Sequence, residues 1–118
     1  MTPARLPALR LIAVVTLLLA QPAAAQTIYP LTKAEILAGS KFDLKVEFEG
    51  APAAADVKVA INGRDAAQVF GKSASVQANE DGQAYTAYWL RDVALTEPGA
   101  YEVTASAGGK SQTAKWEV

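Results

Sequence analysis

Between residues 42 and 49 the chain alternates without interruption. Phe42, Leu44, Val46 and Phe48 hold one parity, and Asp43, Lys45, Glu47 and Glu49 hold the other. An extended strand sends successive side chains to opposite faces, so it gathers these apolar groups on one side. A helix would scatter them around its circumference. The same period recurs at Val57, Val59 and Ile61, and Asn62-Gly63 follows at once. That pair accepts the positive φ angles of a two-residue hairpin turn. The spacing predicts a returning strand over residues 67–70 and a weak edge strand over residues 73–78. A turn is expected at Asn79-Glu80-Asp81-Gly82.

Residues 85–93 form a longer aromatic run in which both parities are apolar: Tyr85, Ala87 and Trp89 against Tyr88 and Leu90. A bulge, or burial on both faces, accounts for such a run. Tyr85 and Tyr88 fall on opposite faces, so one of them is a candidate exposed contact residue. Pro98-Gly99 marks the next turn. Tyr101, Val103 and Ala105 then alternate with polar residues, Gly108-Gly109 signals a hairpin, and Ala114, Trp116 and Val118 alternate again. Residues 28–37, broken by Pro30, read as a first edge strand, where proline is tolerated.

No amphipathic helix is visible. The pattern is all-β: an antiparallel β-sandwich of about seven strands over residues 26–118. The expected core is Phe42, Leu44, Val46, Val59, Ile61, Trp89, Tyr101, Val103 and Trp116. Pro98-Gly99-Ala100-Tyr101 sharpens the expectation to an immunoglobulin-like sandwich. There a tyrosine just past a corner bonds its hydroxyl back to the upstream chain.

The first 25 residues read differently. Arg5 and Arg10 precede an apolar run over residues 11–20. Pro22 ends that run, and Ala23-Ala24-Ala25 offers small residues at a cleavage point. This is the pattern of a secretory signal peptide cleaved after Ala25. The run is about half the roughly 20 residues a membrane-spanning helix needs. The mature protein is therefore expected to be periplasmic or secreted, with no membrane span.

Removing 25 of 118 residues leaves 93, enough for one small domain. The chain has no cysteine, so no disulfide supports that domain. Loss of Arg5 and Arg10 leaves 9 basic against 12 acidic side chains, a net charge of −3 with no basic stripe. Nucleic acid is not an expected partner.

The chain contains no histidine and no cysteine, which removes the usual parts of nucleophilic triads and zinc sites. Asp43, Glu47 and Glu49 share a strand face, but Lys41 and Lys45 lie among them, as on a solvated sheet surface. Asn79, Glu80 and Asp81 lack the spaced acids of a calcium loop. Gly108-Gly109-Lys110-Ser111 lacks the first glycine and the helix of a phosphate loop. Trp89 and Trp116 have the chemistry to stack on sugars, but their aliphatic neighbours favour the core. No catalytic, cofactor-binding or metal-binding residue is assigned, and no cofactor is expected.

Several stretches carry a family resemblance. They are Gln26-Thr27-Ile28-Tyr29-Pro30-Leu31, Ala34-Glu35-Ile36-Leu37-Ala38-Gly39-Ser40-Lys41-Phe42-Asp43, Val57-Lys58-Val59 with Ile61-Asn62-Gly63, and Val69-Phe70-Gly71-Lys72. Glu80-Asp81-Gly82, Leu90-Arg91-Asp92-Val93, Pro98-Gly99-Ala100-Tyr101 and Trp116-Glu117-Val118 complete the set. Together they resemble the N-terminal module of exported proteobacterial alkaline phosphatases. In that family the module precedes the catalytic domain, whose metal ligands begin after the last strand. None of the family's catalytic motifs is present in these 118 residues.

The resemblance implies a non-catalytic accessory module, the truncated or split product of such a protein. Its implied partner is a phosphatase catalytic domain in cis or in trans. The alternative is a freestanding exported sandwich that binds a protein partner or a cell-surface glycan. Edge strands display unpaired backbone groups, which makes residues 28–31 and 69–78 the expected contact edges. The intact mass of the exported product tests the processing expectation. It should correspond to a chain that begins at Gln26, and a product retaining Met1 would overturn it.

Overall fold

The computed structural model describes residues 26–118, with the signal-peptide expectation over residues 1–25 lying outside them. Among the described residues eight strands form two antiparallel four-stranded sheets. One sheet has the order β1 (Gln26–Tyr29), β2 (Phe42–Glu49), β6 (Tyr85–Val93), β5 (Ser75–Ala78). The other has the order β4 (Arg64–Asp65), β3 (Val57–Ile61), β7 (Ala100–Ala107), β8 (Lys110–Glu117). The fold is all-β and sandwich-like.

Alternation decides which side chains meet. Leu44, Val46 and Phe48 are fully buried, and Tyr88 and Leu90 lie beside them on β6. Val59, Ile61, Val103, Ala105, Ala114 and Trp116 from the second sheet complete a single core cluster. Phe42 is half-buried and makes edge contacts with Trp116 at 5.6 Å and Phe70 at 6.2 Å between ring centroids. Burying one such side chain contributes about 1.5–3 kcal/mol.

The turns hold the registers. Asn62 and Gly63 take φ of 50° and 82° and bring Arg64 opposite Ile61. The Asn62 side chain also accepts a hydrogen bond from the Glu102 amide at 2.9 Å, which ties this turn to β7.

Three expectations need correction. The strand returning from Asn62-Gly63 is Arg64–Asp65, and the expected strand over residues 67–70 lies within a short helix, α1 (Ala66–Phe70). Asp65 caps that helix by accepting from the Gln68 amide at 3.2 Å, and Gly71 ends it in the left-handed region. These local bonds outweigh strand propensity over so short a segment. The first strand stops at Tyr29 rather than running to residue 37. A cis peptide precedes Pro30, and the chain crosses to the other sheet, where Glu35 lies parallel to Glu117 of β8.

Trp89 is the third correction. It is half-buried on the outer face of its sheet, outside the core cluster, because β6 turns Tyr88 and Leu90 inward. The bulge and the two-sided burial expected of this strand are both present. Val93 pairs with Phe42 but Leu90 pairs with Leu44, so β6 carries one extra residue. Asp92 adopts φ 56° there, and its amide donates to Asp43 Oδ1 at 2.8 Å. Lys72 Nζ donates to the carbonyls of Arg91 and Asp92. On the outer face Ala87 is fully covered between Tyr85 and Trp89.

Among the described residues the buried Tyr88 hydroxyl has no hydrogen-bond partner. Burial, and secondarily the charge of Asp65, pushes its pKa up from 10 to about 12. An ordinary tyrosine ionises near 10 in the unfolded chain. The folded pKa is therefore the higher one, and stability is fully present below pH 10 and lost as pH rises through 12. Tyr88→Phe removes an unsatisfied buried hydroxyl, so it should raise stability by about 1 kcal/mol at neutral pH. It should also flatten the alkaline loss. Denaturant midpoints across that range check both, and a lower midpoint for the variant at neutral pH would show the hydroxyl to be bonded.

Candidate functional site

The crossing of residues 30–36 from one sheet to the other builds a groove on the surface. Lys33 N–H donates to the Lys115 carbonyl at 2.6 Å, Ile36 N–H to the Glu117 carbonyl at 2.8 Å, and Glu117 N–H to the Ala34 carbonyl at 3.0 Å. Lys115 N–H donates to Thr32 Oγ1 at 3.1 Å. The crossing segment thus lies along the edge of β8. Trp116 anchors it from below, donating from its indole Nε1 to the Pro30 carbonyl at 2.8 Å.

A groove of about 480 Å³ lies between this segment and strands β7 and β8. Lys33, Glu35, Glu102, Lys115 and Glu117 line it, with Tyr101 and Trp116 among its walls. Among the described residues none of these five charged side chains forms an ion pair. A second depression continues past Glu35, Ile36, Leu37 and Val118, where Leu37 is 79 % exposed. Two cations, three carboxylates and an exposed leucine side by side form a surface suited to a charged partner with an apolar recess.

Tyr101 closes one side. It lies opposite Trp116, and its hydroxyl donates to the Glu97 carbonyl, four residues upstream, at 2.7 Å. The upstream bond expected of this tyrosine is present.

The carboxylates singled out in the sequence are structurally engaged. Asp43 accepts from the Asp92 amide and lies 4.0 Å from the Arg91 guanidinium. Glu47 pairs with Lys45 at 2.9 Å. Asn79–Gly82 is a turn containing a short 3₁₀ segment, with Asp81 at φ 53°. Gly108-Gly109 is the β7–β8 hairpin turn. Among the described residues no three acidic, histidine or cysteine side chains converge as metal ligands, and no helix is long and apolar enough to cross a membrane.

Both edges named from the sequence lie at the margins of one sheet, where β1 and β5 are its outer strands. The chain at residues 30–31 is partly occupied, because the Pro30 carbonyl accepts from Trp116 and the Leu31 carbonyl from Ala34. Sequence reasoning missed the groove entirely. Glu102, Lys115 and Glu117 are neighbours across the β7–β8 pair, and the crossing adds Lys33 and Glu35.

No protein-family model matches the chain, and no curated protein matches it.

Tyr101→Phe should lower stability by about 1 kcal/mol through loss of the bond to Glu97. An unchanged denaturation midpoint would show that the corner bond contributes nothing.

Proposed function

We propose that residues 26–118 form an immunoglobulin-like, non-catalytic accessory module of an exported protein, and that a second protein domain docks in the groove beside Tyr101. The strand orders β1-β2-β6-β5 and β4-β3-β7-β8 and the Tyr101–Glu97 bond support the immunoglobulin-like reading. The observation that carries the docking reading is the set of five side-chain charges without an ion pair among the described residues, beside the exposed Leu37. Charges of both signs give a partner register and specificity more than raw affinity.

The partner is a phosphatase catalytic domain, in cis or in trans, on the resemblance of the sequence to modules that precede such domains. The module acts after export, in the periplasm or outside the cell, with its leader removed after Ala25.

Amide exchange of the module, alone and with a phosphatase catalytic domain added, tests the proposal. Slowed exchange is expected at residues 33–37 and 115–118. Charge reversal at Lys33 and Lys115 should abolish it. Protection confined to β5 would move the contact to that edge, and no protection anywhere would overturn docking to such a domain.

A further inference from the structure

The opposite sheet carries a different arrangement. On its outer face Lys45 lies directly opposite Trp89, and Ala87 opposite Glu47. Lys45 Nζ sits over both aromatic rings, 4.7 Å from the Trp89 centroid and 5.5 Å from that of Tyr85. Glu47 Oε2 is 2.9 Å from the same nitrogen. The Arg91 guanidinium stacks over Trp89 at 3.8 Å and restrains the indole. Ala87, between the two aromatics on β6, is fully covered beneath this cluster.

Two π-faces and a carboxylate around one ammonium form the arrangement that recognises organic cations. Here the chain's own lysine demonstrates the charge complementarity. A sugar ring would need the face of Trp89 to be open, and two cations already lie over it. We propose that Tyr85, Trp89 and Glu47 form a cation cage that takes a quaternary or methylated ammonium group, with Lys45 as its resident occupant. Lys45 is the weaker guest on physical grounds. Its ammonium is compact and strongly hydrated, so holding it against aromatic faces forfeits hydration. A quaternary ammonium carries no N–H to desolvate and presents methyl groups to the rings. The four-carbon stem of Lys45 lets the lysine swing to solvent when such a group enters. This inference is independent of the docking groove, which belongs to the other sheet.

The probe is tetramethylammonium chloride, titrated at constant ionic strength held with sodium chloride. Saturation transfer from protein to the N-methyl protons is the readout. The unaltered module should show weak, saturable transfer. Lys45→Ala should tighten it about tenfold by removing the competitor. Lys45→Gln, which keeps most of the stem, should act in the same direction where the alanine variant folds poorly. Trp89→Leu should abolish saturable transfer, and Glu47→Gln should weaken it. Transfer that never saturates in the unaltered module or either Lys45 variant would overturn the cage. So would saturable transfer that survives Trp89→Leu in a folded protein.

Discussion

Trp116 is the point on which both sheets depend. Its ring is 1 % exposed at the centre of the core, its edge contacts Phe42 of the opposite sheet, and its indole N–H holds the Pro30 carbonyl. A buried indole N–H without a partner would cost about 1–3 kcal/mol, so the crossing chain must pass over this tryptophan. Once Pro30 is fixed, Lys33, Ala34 and Ile36 fall into register with β8, and the edge of that strand is covered over residues 115–117. The groove is a by-product of the same geometry, because the segment that protects the edge also stands above the sheet as a wall. A single side chain thus links core packing, edge protection and the groove.

The outer face of the other sheet solves a separate problem. A sandwich this small must keep its outer faces wet, yet β6 places Tyr85 and Trp89 there. Lys45 and Arg91 spread their aliphatic stems and cationic ends over those rings, and Glu47 and Asp43 balance the charge. The exposed Arg91–Asp43 pair contributes less than about 1 kcal/mol, and Lys45–Glu47 is more covered. Their larger effect is to hold two aromatic rings in defined orientations, which a recognition surface requires and a solubilising surface does not.

Much of the fold was legible because alternation is a local signal. The limits of β2, β3 and β6 follow from Phe42 to Glu49, Val57 to Ile61 and the aromatic run, and Asn62-Gly63 and Gly108-Gly109 fix two hairpins. The helix at Ala66–Phe70 was signalled only by Asp65, Gln68 and Gly71, a capping pattern around a single turn too short to show a period. Trp89 was ambiguous in principle. When both parities of a strand are apolar, the inward face depends on the neighbours, and the register of β6 against β2 is not written in either strand. One wall of the groove belongs to the β7–β8 hairpin, which pairs Glu102 with Lys115, but the other arrives only through the crossing at Pro30, which no local signal announces.

The missing staples explain why these devices converge on one place. Without a disulfide, a domain of this size buries only about 60–65 % of its unfolded surface and has little stability in reserve. Its first strand is only four residues long and is followed by a proline, which leaves it open to fraying. Trp116, Thr32 and the parallel pairing at Glu35 tie the crossing segment to the last strand, joining the two ends of the domain. A partner seated in the groove would press that segment onto β8 and resist the same fraying. Binding there would therefore stabilise the fold as well as position the partner, because contact and closure involve the same residues.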